Sequence, residues 1–299
     1  MTQTALILGA RGRIGRNAAA AFQAAGWQVA AFNRATGDLA AAMHGADVVV
    51  NAWNPPDYAT WHRDLPRIHR SVIDAARRHD TPVIVPGNVY VFGADVPAPW
   101  SEASPHGATN PLGRLRIEME AAYRASGIRT ILLRGGDFLD TAASGNWFDR
   151  VIAKPLPKGR ISYPGPVDVP HAWAYLPDMA RAVVALAGMR DDLPRYVDIP
   201  FPGYTLTGND IAEALSDVLH RPVRAARMPW WPLRVAAPVW PMLRGLLEMR
   251  YLWDTPHSLD GALFDGLLPG FRHTPVEDAL ARAAAHGATF EPRGATVAS

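Results

Sequence analysis

Short apolar runs alternate with longer segments of helical periodicity over the first half of the chain. The runs typical of buried parallel strands are 4–9, 28–33, 47–52, 82–86 and 129–134. The helical patterns between them are 14–25, 60–79 and 111–126. Pro66 predicts a kink or break in the second helix, and Gly127 ends the third. The alternation predicts a doubly wound α/β fold, in which βαβ units build a parallel sheet covered on both faces.

The alternation is lost after about residue 139, where proline, glycine and aromatic residues become more frequent. The elements predicted in this part are helices over 177–188, 207–219 (capped by Thr207) and 275–286, and a strand over 195–200. The change predicts two domains. A nucleotide-binding domain covers 1–143 and includes 171–200, and a smaller substrate domain covers 144–170 and 201–299.

The composition is that of a globular protein, because 48% of the 299 residues are hydrophobic and 19% are charged. The formal net charge of +2 argues against a nucleic-acid partner. The chain has no cysteine, which excludes disulfides, thiolate nucleophiles and cysteine-bound metals. Its histidines and carboxylates show no metal-ligand spacing, so we predict no metal. Lys154 and Lys158 are the only lysines available to a mechanism.

The N-terminal residues lead directly into the first strand, without the basic region, apolar core or cleavage site of a secretory signal. No uninterrupted apolar run approaches the roughly 18 residues of a membrane-spanning helix. We therefore expect a cytoplasmic protein without a membrane partner.

Three glycines follow the first strand in the spacing GxxGxxG, where the first helix begins. Gly9 permits a tight turn, Gly12 lets the backbone approach a pyrophosphate, and Gly15 lets the helix pack closely on the strand. The helix N-terminus then offers its N–H groups to the phosphates. The pattern predicts a dinucleotide site, against the alternative of an ordinary glycine-rich turn. The contacts are assigned to Gly9, Arg11, Gly12, Arg13, Ile14 and Gly15.

The end of the second strand discriminates between NAD and NADP. An NAD site usually has Asp or Glu there, which accepts hydrogen bonds from the ribose hydroxyls. This chain has Asn33 and Arg34 instead, and a guanidinium suits the additional phosphate of NADP. Arg11 supplies a second cation. We expect NADP(H) to be preferred over NAD(H), unless Arg34 is only a solvated loop residue.

Five segments carry motifs around this site. They are GARGRIG (9–15), DVVVNAW (47–53), VPGNVYVFG (85–93), RGGDF (134–138) and YLPDMARA (175–182). In these residues the chain resembles the extended and atypical branch of the short-chain dehydrogenase/reductase (SDR) superfamily, the NAD(P)-dependent epimerase/dehydratase-like proteins. The resemblance covers nearly the whole chain and implies a Rossmann-type sheet with a smaller, partly interleaved C-terminal substrate domain.

The resemblance also implies cofactor contacts beyond the glycine loop. Asp38 and Leu39 stand where the family's Asp-hydrophobic pair touches the adenine. Arg116 stands where a lysine binds the nicotinamide ribose. The remaining implied contacts are Asn51, Ala52, Trp53 and Gly136.

The catalytic pattern departs from that of the family. Its members use Ser or Thr together with Tyr-x-x-x-Lys on a helix, and the tyrosine moves the proton that accompanies hydride transfer. Here Leu112 occupies the Tyr position, Arg116 the Lys position and Asn88 the Ser position. An arginine still binds a ribose, but a leucine cannot donate a proton. Either another group performs the acid–base step, or the chain is not a redox enzyme.

The catalytic candidates are Tyr90, Asp137 and, as the Ser equivalent, Asn88. Tyr90 carries a phenol where this family faces its substrate, and Asp137 lies near the expected nicotinamide ring, where a carboxylate can serve as acid or base. The alternatives are a packed tyrosine and a loop-capping aspartate. His171 is a weaker candidate, because a lone histidine is more often structural. Asp178 is explained by its place at a helix start.

Residues 229–253 are rich in tryptophan, proline and arginine. They fit a membrane interface, a dimer face, a wall of the substrate pocket or the core of the small domain. Four prolines interrupt any long amphipathic helix. We therefore favour the pocket wall, which suits an apolar substrate.

Three functions follow. The first is an NADP(H)-preferring oxidoreductase that acts, alone or as a homodimer, on a small apolar carbonyl or activated double bond. The second is a nucleotide-sugar epimerase or dehydratase. The third is a non-catalytic NAD(P)-binding sensor or regulatory protein, which the missing Tyr and Lys would suit.

Overall fold

The computed structural model describes residues 2–35 and 37–287. Its strands are β1 (Thr4–Leu8), β2 (Gln28–Ala31), β3 (Val48–Asn51), β4 (Val83–Asn88), β5 (Thr130–Gly135), β6 (Asp137–Leu139), β7 (Arg160–Tyr163), β8 (His171–Tyr175), β9 (Tyr196–Pro200), β10 (Tyr204–Leu206) and β11 (Arg224–Arg227). Its helices are α1 (Arg13–Ala24), α2 (Leu39–Met43), α3 (Trp61–His79), α4 (Pro111–Ser126), α5 (Leu176–Gly188), α6 (Gly208–Leu219), α7 (Trp231–Ala236), α8 (Pro241–Glu248), α9 (Tyr251–Asp254), α10 (Ala262–Leu267) and α11 (Val276–Gly287).

Parallel strands form the central sheet in the order β2-β1-β3-β4-β5-β9. Alternate residues of a strand point to opposite faces, so Ile7 packs with α1 and α5, whereas Leu6 and Leu8 pack with α3 and α4. Both faces are buried, which explains why these strands are apolar throughout. The predicted doubly wound α/β fold is confirmed.

The strand order reverses at β1, because β2 lies on one side of it and β3 on the other. In open α/β sheets such a reversal opens a crevice at the carboxyl ends of the strands, where ligands bind. The sequence therefore brings the residues that follow β1, β3, β4 and β5 to one edge of the molecule.

Helix α3 corrects one prediction, because it continues through Pro66 from Trp61 to His79. A proline inside a helix costs about 3 kcal/mol. Leu65, Ile68 and other residues of the same face are buried, and this burial offsets the cost.

The second half of the chain adds two small sheets, β10-β8-β6 and β11-β7. Residues 171–175, which we expected to return to the nucleotide-binding domain, instead form β8 between β10 and β6. Residues of α5 do pack against the central sheet, and β9 pairs with β5. Thr207 caps α6 in a capping box, as predicted.

Candidate functional site

A cavity of about 620 Å³ lies at the carboxyl ends of β1, β3, β4 and β5. Its wall is made by the β1–α1 turn, the segments that follow β3, β4 and β5, one side of α4 and the loop 142–147. Met242 and Leu246 of α8 complete the wall. The volume is that of a small-molecule site.

The backbone geometry of the β1–α1 turn requires glycine at positions 9 and 15. Gly9 has φ +78°, in the left-handed region, and accepts a hydrogen bond from the N–H of Gly12 at 2.8 Å. A Cβ at position 15 would overlap the carbonyl of Gly9. No side chain caps α1 and no acidic residue lies in its first turn. The N–H groups of Arg13 and Ile14 are therefore left to the cavity that both residues line.

The loop after β2 lies outside the cavity lining in the part of the chain that the structure describes. Asn33 accepts a hydrogen bond from the backbone N–H two residues ahead. The Arg34 guanidinium lies 5.5 Å from the ring centre of Trp53, and Trp53 does line the cavity. Asp38 caps α2, because its Oδ1 accepts from the second and third N–H groups of that helix, and Leu39 is the first residue of α2.

Asn51 at the end of β3 belongs to a buried network. Its amide donates to the Tyr123 hydroxyl at 3.0 Å and lies 3.2 Å from Nδ1 of His69, and the same hydroxyl lies 3.0 Å from that Nδ1. Because Nδ1 faces two donors, we assign the ring proton to Nε2. That nitrogen has no hydrogen-bond partner among the described residues, and His69 lines the cavity. Burial lowers the pKa of His69 to about 3.

Helix α4 presents Leu112 and Arg116 at the family's Tyr and Lys positions. Leu112 is 7% exposed, and its N–H donates to Oε1 of Glu248 at 2.6 Å. The buried Arg116 donates to Oδ1 of Asn54 at 2.7 Å, and its guanidinium lies 4.5 Å from the ring centre of Trp61. Arg116 lines the cavity, so a fixed cation remains there although the tyrosine is missing.

Two tyrosines meet in the cavity. The hydroxyls of Tyr58 and Tyr90 lie 2.7 Å apart, and each residue stands on a 3-10 turn, one after β3 and the other after β4. The Asn88 carboxamide accepts a hydrogen bond from the N–H of Tyr90 and fixes its turn. Burial raises the pKa of both phenols. Both are therefore neutral proton donors at physiological pH. No periodic pattern of residues marks Tyr58 in the sequence.

Asp137 forms a pair with His171, whose Nε2 lies 2.8 Å from Oδ2 of Asp137. His171 is 1% exposed and Asp137 27%, so the carboxylate faces the cavity that it lines and the imidazole lies behind it. The imidazole stacks on Trp253 with ring centres 4.1 Å apart. Gly136 is required at this bend, because a Cβ there would overlap the carbonyl of Ala172.

No protein-family model matches the sequence, and no curated protein matches it. Solved structures match along nearly the whole chain. A nucleoside-diphosphate-sugar epimerase from Pseudomonas aeruginosa is 17% identical over 95% of this chain and 96% of its own, with a TM-score of 0.71. A UDP-glucuronic acid 4-epimerase from Bacillus cereus, solved with UDP-glucuronic acid and NAD, is 14% identical over 95% and 99%, with a TM-score of 0.70.

An NAD-dependent NDP-hexosamine 5,6-dehydratase involved in tunicamycin biosynthesis is 17% identical over 95% of this chain and 97% of its own, with a TM-score of 0.70. The chain has the Rossmann-type α/β fold of these solved structures. The resemblance inferred from the sequence is thereby confirmed at the level of the fold. Leu112 remains a departure from the tyrosine of the resembled motif. Tyr58 and His69 line the cavity, and the buried Tyr123 contacts His69. The motifs revealed none of these three residues.

The tryptophans of residues 229–253 lie partly inside the fold and partly on its surface. Trp230 and Trp253 are buried, whereas Trp231 and Trp240 are 68% and 55% exposed. The cavity wall receives Met242 and Leu246 from this segment, not its tryptophans. The segment forms the three short helices α7, α8 and α9, and Pro238 lies in the connection between the first two. None of the described helices is long and apolar enough to span a membrane.

One cluster of potential metal ligands occurs in the described part of the fold. His106, Glu120 and Asp198 bring their ligand atoms within 4.8 Å of one another. The buried guanidinium of Arg134 bonds to both carboxylates. This one cation bridges the two carboxylates and offsets part of their charge, so we interpret the cluster as an ion-pair network.

Proposed function

We propose that the chain is an NAD(P)(H)-dependent enzyme that transfers hydride at a carbon bearing a carbonyl or hydroxyl group. The observation that carries the proposal is the pair of phenols, Tyr58 and Tyr90, which share a hydrogen bond at 2.7 Å inside the cavity behind the glycine turn. It supplies the proton donor that Leu112 cannot supply.

The cavity fits a dinucleotide. The uncapped N-terminus of α1 suits the pyrophosphate, and a Cβ at position 9 or 15 would fill the space of the tight turn. Arg116 and the unpartnered Nε2–H of His69 are donors suited to ribose oxygens. When bound, the nicotinamide supplies the hydride donor or acceptor.

The preference for NADP(H) rests on Arg34. Its guanidinium lies over the face of Trp53, which lines the cavity, and the Asp38 carboxylate is engaged in capping α2. An exposed guanidinium beside the cavity, with no carboxylate at the end of β2, suits a phosphate better than a ribose diol.

In the proposed reaction, Tyr90 donates a proton to the oxygen of the reacting carbonyl. Its raised pKa keeps the phenol protonated, and Tyr58 is placed to return a proton to it. In the oxidative direction the same step runs in reverse, and the Tyr90 oxygen takes the proton of the substrate hydroxyl as its own proton passes to Tyr58. Asp137, with His171 holding one of its carboxylate oxygens, is the alternative acid–base group. Asn88 positions Tyr90 through its backbone N–H.

Two classes of substrate are candidates for this reaction. Nucleotide sugars are favoured by the similarity to epimerases and a dehydratase along nearly the whole chain. A small apolar carbonyl compound is favoured by the lining, to which Trp61, Phe138 and Leu246 contribute.

The experiment begins with NADPH and NADH binding measured by calorimetry. NADPH oxidation is then followed with a panel of aldehydes and ketones, and epimerised or dehydrated products are sought by NMR from UDP-glucose, UDP-glucuronic acid and UDP-N-acetylglucosamine. Turnover in either panel that falls in Tyr90→Phe supports the proposal. Tight cofactor binding without turnover in both panels would instead favour the sensor.

A further inference from the structure

The helical hairpin α7–α8 exposes four large apolar side chains. Trp231, Val235, Val239 and Trp240 are 68%, 72%, 86% and 55% exposed. We call these four residues the apolar edge. The described part of the chain exposes no other large hydrophobic side chain to this degree, and scattered single residues would need no explanation.

The inner side of the same hairpin is firmly packed. Trp231 and Val235 are one helical turn apart and share the outer side of α7. Ala237, on the opposite side, is buried, and the preceding Trp230 is buried with its indole N–H donating to the carbonyl of Pro164 at 2.6 Å. Trp231 and Val235 of the apolar edge therefore project from a packed helix, and Val239 and Trp240 project from the short connection between α7 and α8.

The charged residues next to the apolar edge are arginines, and the one acidic residue of the hairpin, Glu248 at the end of α8, is bonded to Asn110 and Leu112. Residues 229–247 contain Arg234 and Arg244 but no Asp or Glu. Arg234 lies three residues from Trp231 on the same exposed side. Arg244 donates to the carbonyls of the turn that leads to Val239. Neither arginine has a carboxylate within ion-pair distance among residues 2–35 and 37–287.

We propose that the α7–α8 hairpin docks on an anionic lipid surface. Tryptophan favours the boundary between water and hydrocarbon, an apolar helix face inserts shallowly there, and arginines are attracted to acidic headgroups. A second copy of the chain is a poorer partner, because a twofold contact presents the same patch from both sides. Both copies would then bring Arg234 and Arg244 to the contact, and the one acidic residue of the hairpin, Glu248, is already bonded to Asn110 and Leu112.

This proposal revises the expectation that the protein has no membrane partner. That expectation rested on the lack of a long apolar run and, for residues 229–253, on prolines that interrupt an amphipathic helix. In the structure Pro232 and Pro241 lie in the first turns of α7 and α8, where proline is tolerated. The interruption creates a compact hairpin with an exposed apolar edge instead of abolishing it.

Docking would place the cavity next to the lipid. Met242 and Leu246 of α8 line the cavity, while Trp240 lies just before the same helix and is exposed. The inference does not depend on the proposed function, since lipid binding is measured without cofactor or substrate.

The test is co-sedimentation of the whole protein with vesicles of phosphatidylcholine alone and with vesicles that also contain phosphatidylglycerol. We expect binding to the anionic vesicles only, weakened by salt. Trp231→Ser combined with Trp240→Ser should lower the partition coefficient about tenfold or more. Arg234→Gln should lower it about fivefold. The matched control is Arg70→Gln, an exposed arginine on α3, which should leave it unchanged.

Three results would overturn the proposal. The first is no sedimentation of the wild-type protein with anionic vesicles. The second is equal binding by the wild-type protein and the double serine variant, with near-UV circular dichroism showing that both are folded. The third is a lipid-free dimer, measured by light scattering, that the serine variant converts to a monomer. That result would assign the apolar edge to an interface between copies of this chain.

Discussion

The hydroxyl oxygen of Tyr58 lies 2.7 Å from that of Tyr90, although thirty-two positions separate the two residues in the sequence. Parallel strands bring them together, because the turns after β3 and β4 meet at the same sheet edge. Leu112 lies in the same apolar cluster as Tyr58 and Tyr90, and its side chain has no proton that it could donate. On the proposed function, the proton donor has moved from helix α4 to the turns after these two strands.

Replacing the Tyr90 hydroxyl tests this directly. Tyr90→Phe keeps the ring and its packing but removes the donor, so we expect kcat for carbonyl reduction to fall about 10²–10⁴-fold. Tyr58→Phe should cost less, since Tyr90 retains its own proton. Burial raises the pKa of Tyr90 well above its ordinary value of 10.0. The wild-type rate should therefore not fall through deprotonation of Tyr90 as the pH rises to 10.

The control is Tyr196→Phe on β9. Its hydroxyl is buried without a partner among the described residues and it does not line the cavity. It should keep the wild-type kcat. Wild-type turnover by Tyr90→Phe would remove Tyr90 from the mechanism and leave Asp137 as the remaining candidate, which Asp137→Asn then tests.

The cofactor preference is tested at Arg34. Arg34→Ala removes the guanidinium over Trp53 and should raise the Kd for NADPH about tenfold, a typical effect of losing one charge-assisted contact, while leaving that for NADH nearly unchanged. Calorimetry with both cofactors measures the ratio. Arg63→Ala, an exposed arginine of α3 paired with Asp64, is the matched control. Equal affinities of the wild-type protein for NADPH and NADH would contradict the proposal.

The fold was predictable because, along the first half of the chain, the hydrophobic periodicity agrees with the residues that begin and end helices and strands. Gly127 has φ +73° at the end of α4, and Thr207 caps α6, both as the sequence indicates. The strand β8 was not predicted as an element of its own, and its run HAWAY is buried on both faces. A run of this kind fits a strand of any sheet. Only its pairing with β10 and β6 decides which sheet it joins.

The site was only partly predictable. The glycine loop follows from local rules, since turn, close approach and helix start are all encoded within seven residues. The places of Tyr58 and His69 in the site depend instead on contacts with residues that are distant in the sequence. Tyr58 lies in a proline-rich loop without period, and His69 occupies the apolar face of α3 beside Ile68 and Val72. No spacing in the sequence distinguishes it from a core residue.

Backbone crowding at the bend after β5 gives a stability prediction. Gly136→Ala forces a Cβ into the carbonyl of Ala172, so we expect a loss of about 1–3 kcal/mol or more in the free energy of unfolding. The matched control is Gly188→Ala at the end of α5, where a Cβ meets no described atom within 4 Å. This change should stabilise the protein by about 0.4–1 kcal/mol. Urea denaturation measures both, and a neutral Gly136→Ala would mean that β8 can move away.

The buried His69 predicts a pH dependence of stability. Its pKa falls from 6.5 to about 3 on folding, through burial and then the charge of Arg116. Below pH 6.5 the unfolded chain therefore binds a proton that the folded chain does not. The stability associated with neutral His69 is complete above pH 6.5 and is lost as the pH falls toward 3. His257, whose pKa is also lowered to about 3, contributes in the same direction.

The variant His69→Gln separates the titration of His69 from that of the protein's other titratable groups. The glutamine oxygen can accept from the Tyr123 hydroxyl and the Asn51 amide as Nδ1 does, but it does not titrate. Between pH 6.5 and 3, the free energy of unfolding of the variant should fall less steeply, by about 1.4 kcal/mol per pH unit. Urea titrations across this range measure the slope, with His62→Gln on the exposed side of α3 as the control that keeps it. If His69→Gln and the wild-type protein share one slope, His69 must be protonated in the folded state, and its Nε2 would then face an acceptor or water in the cavity.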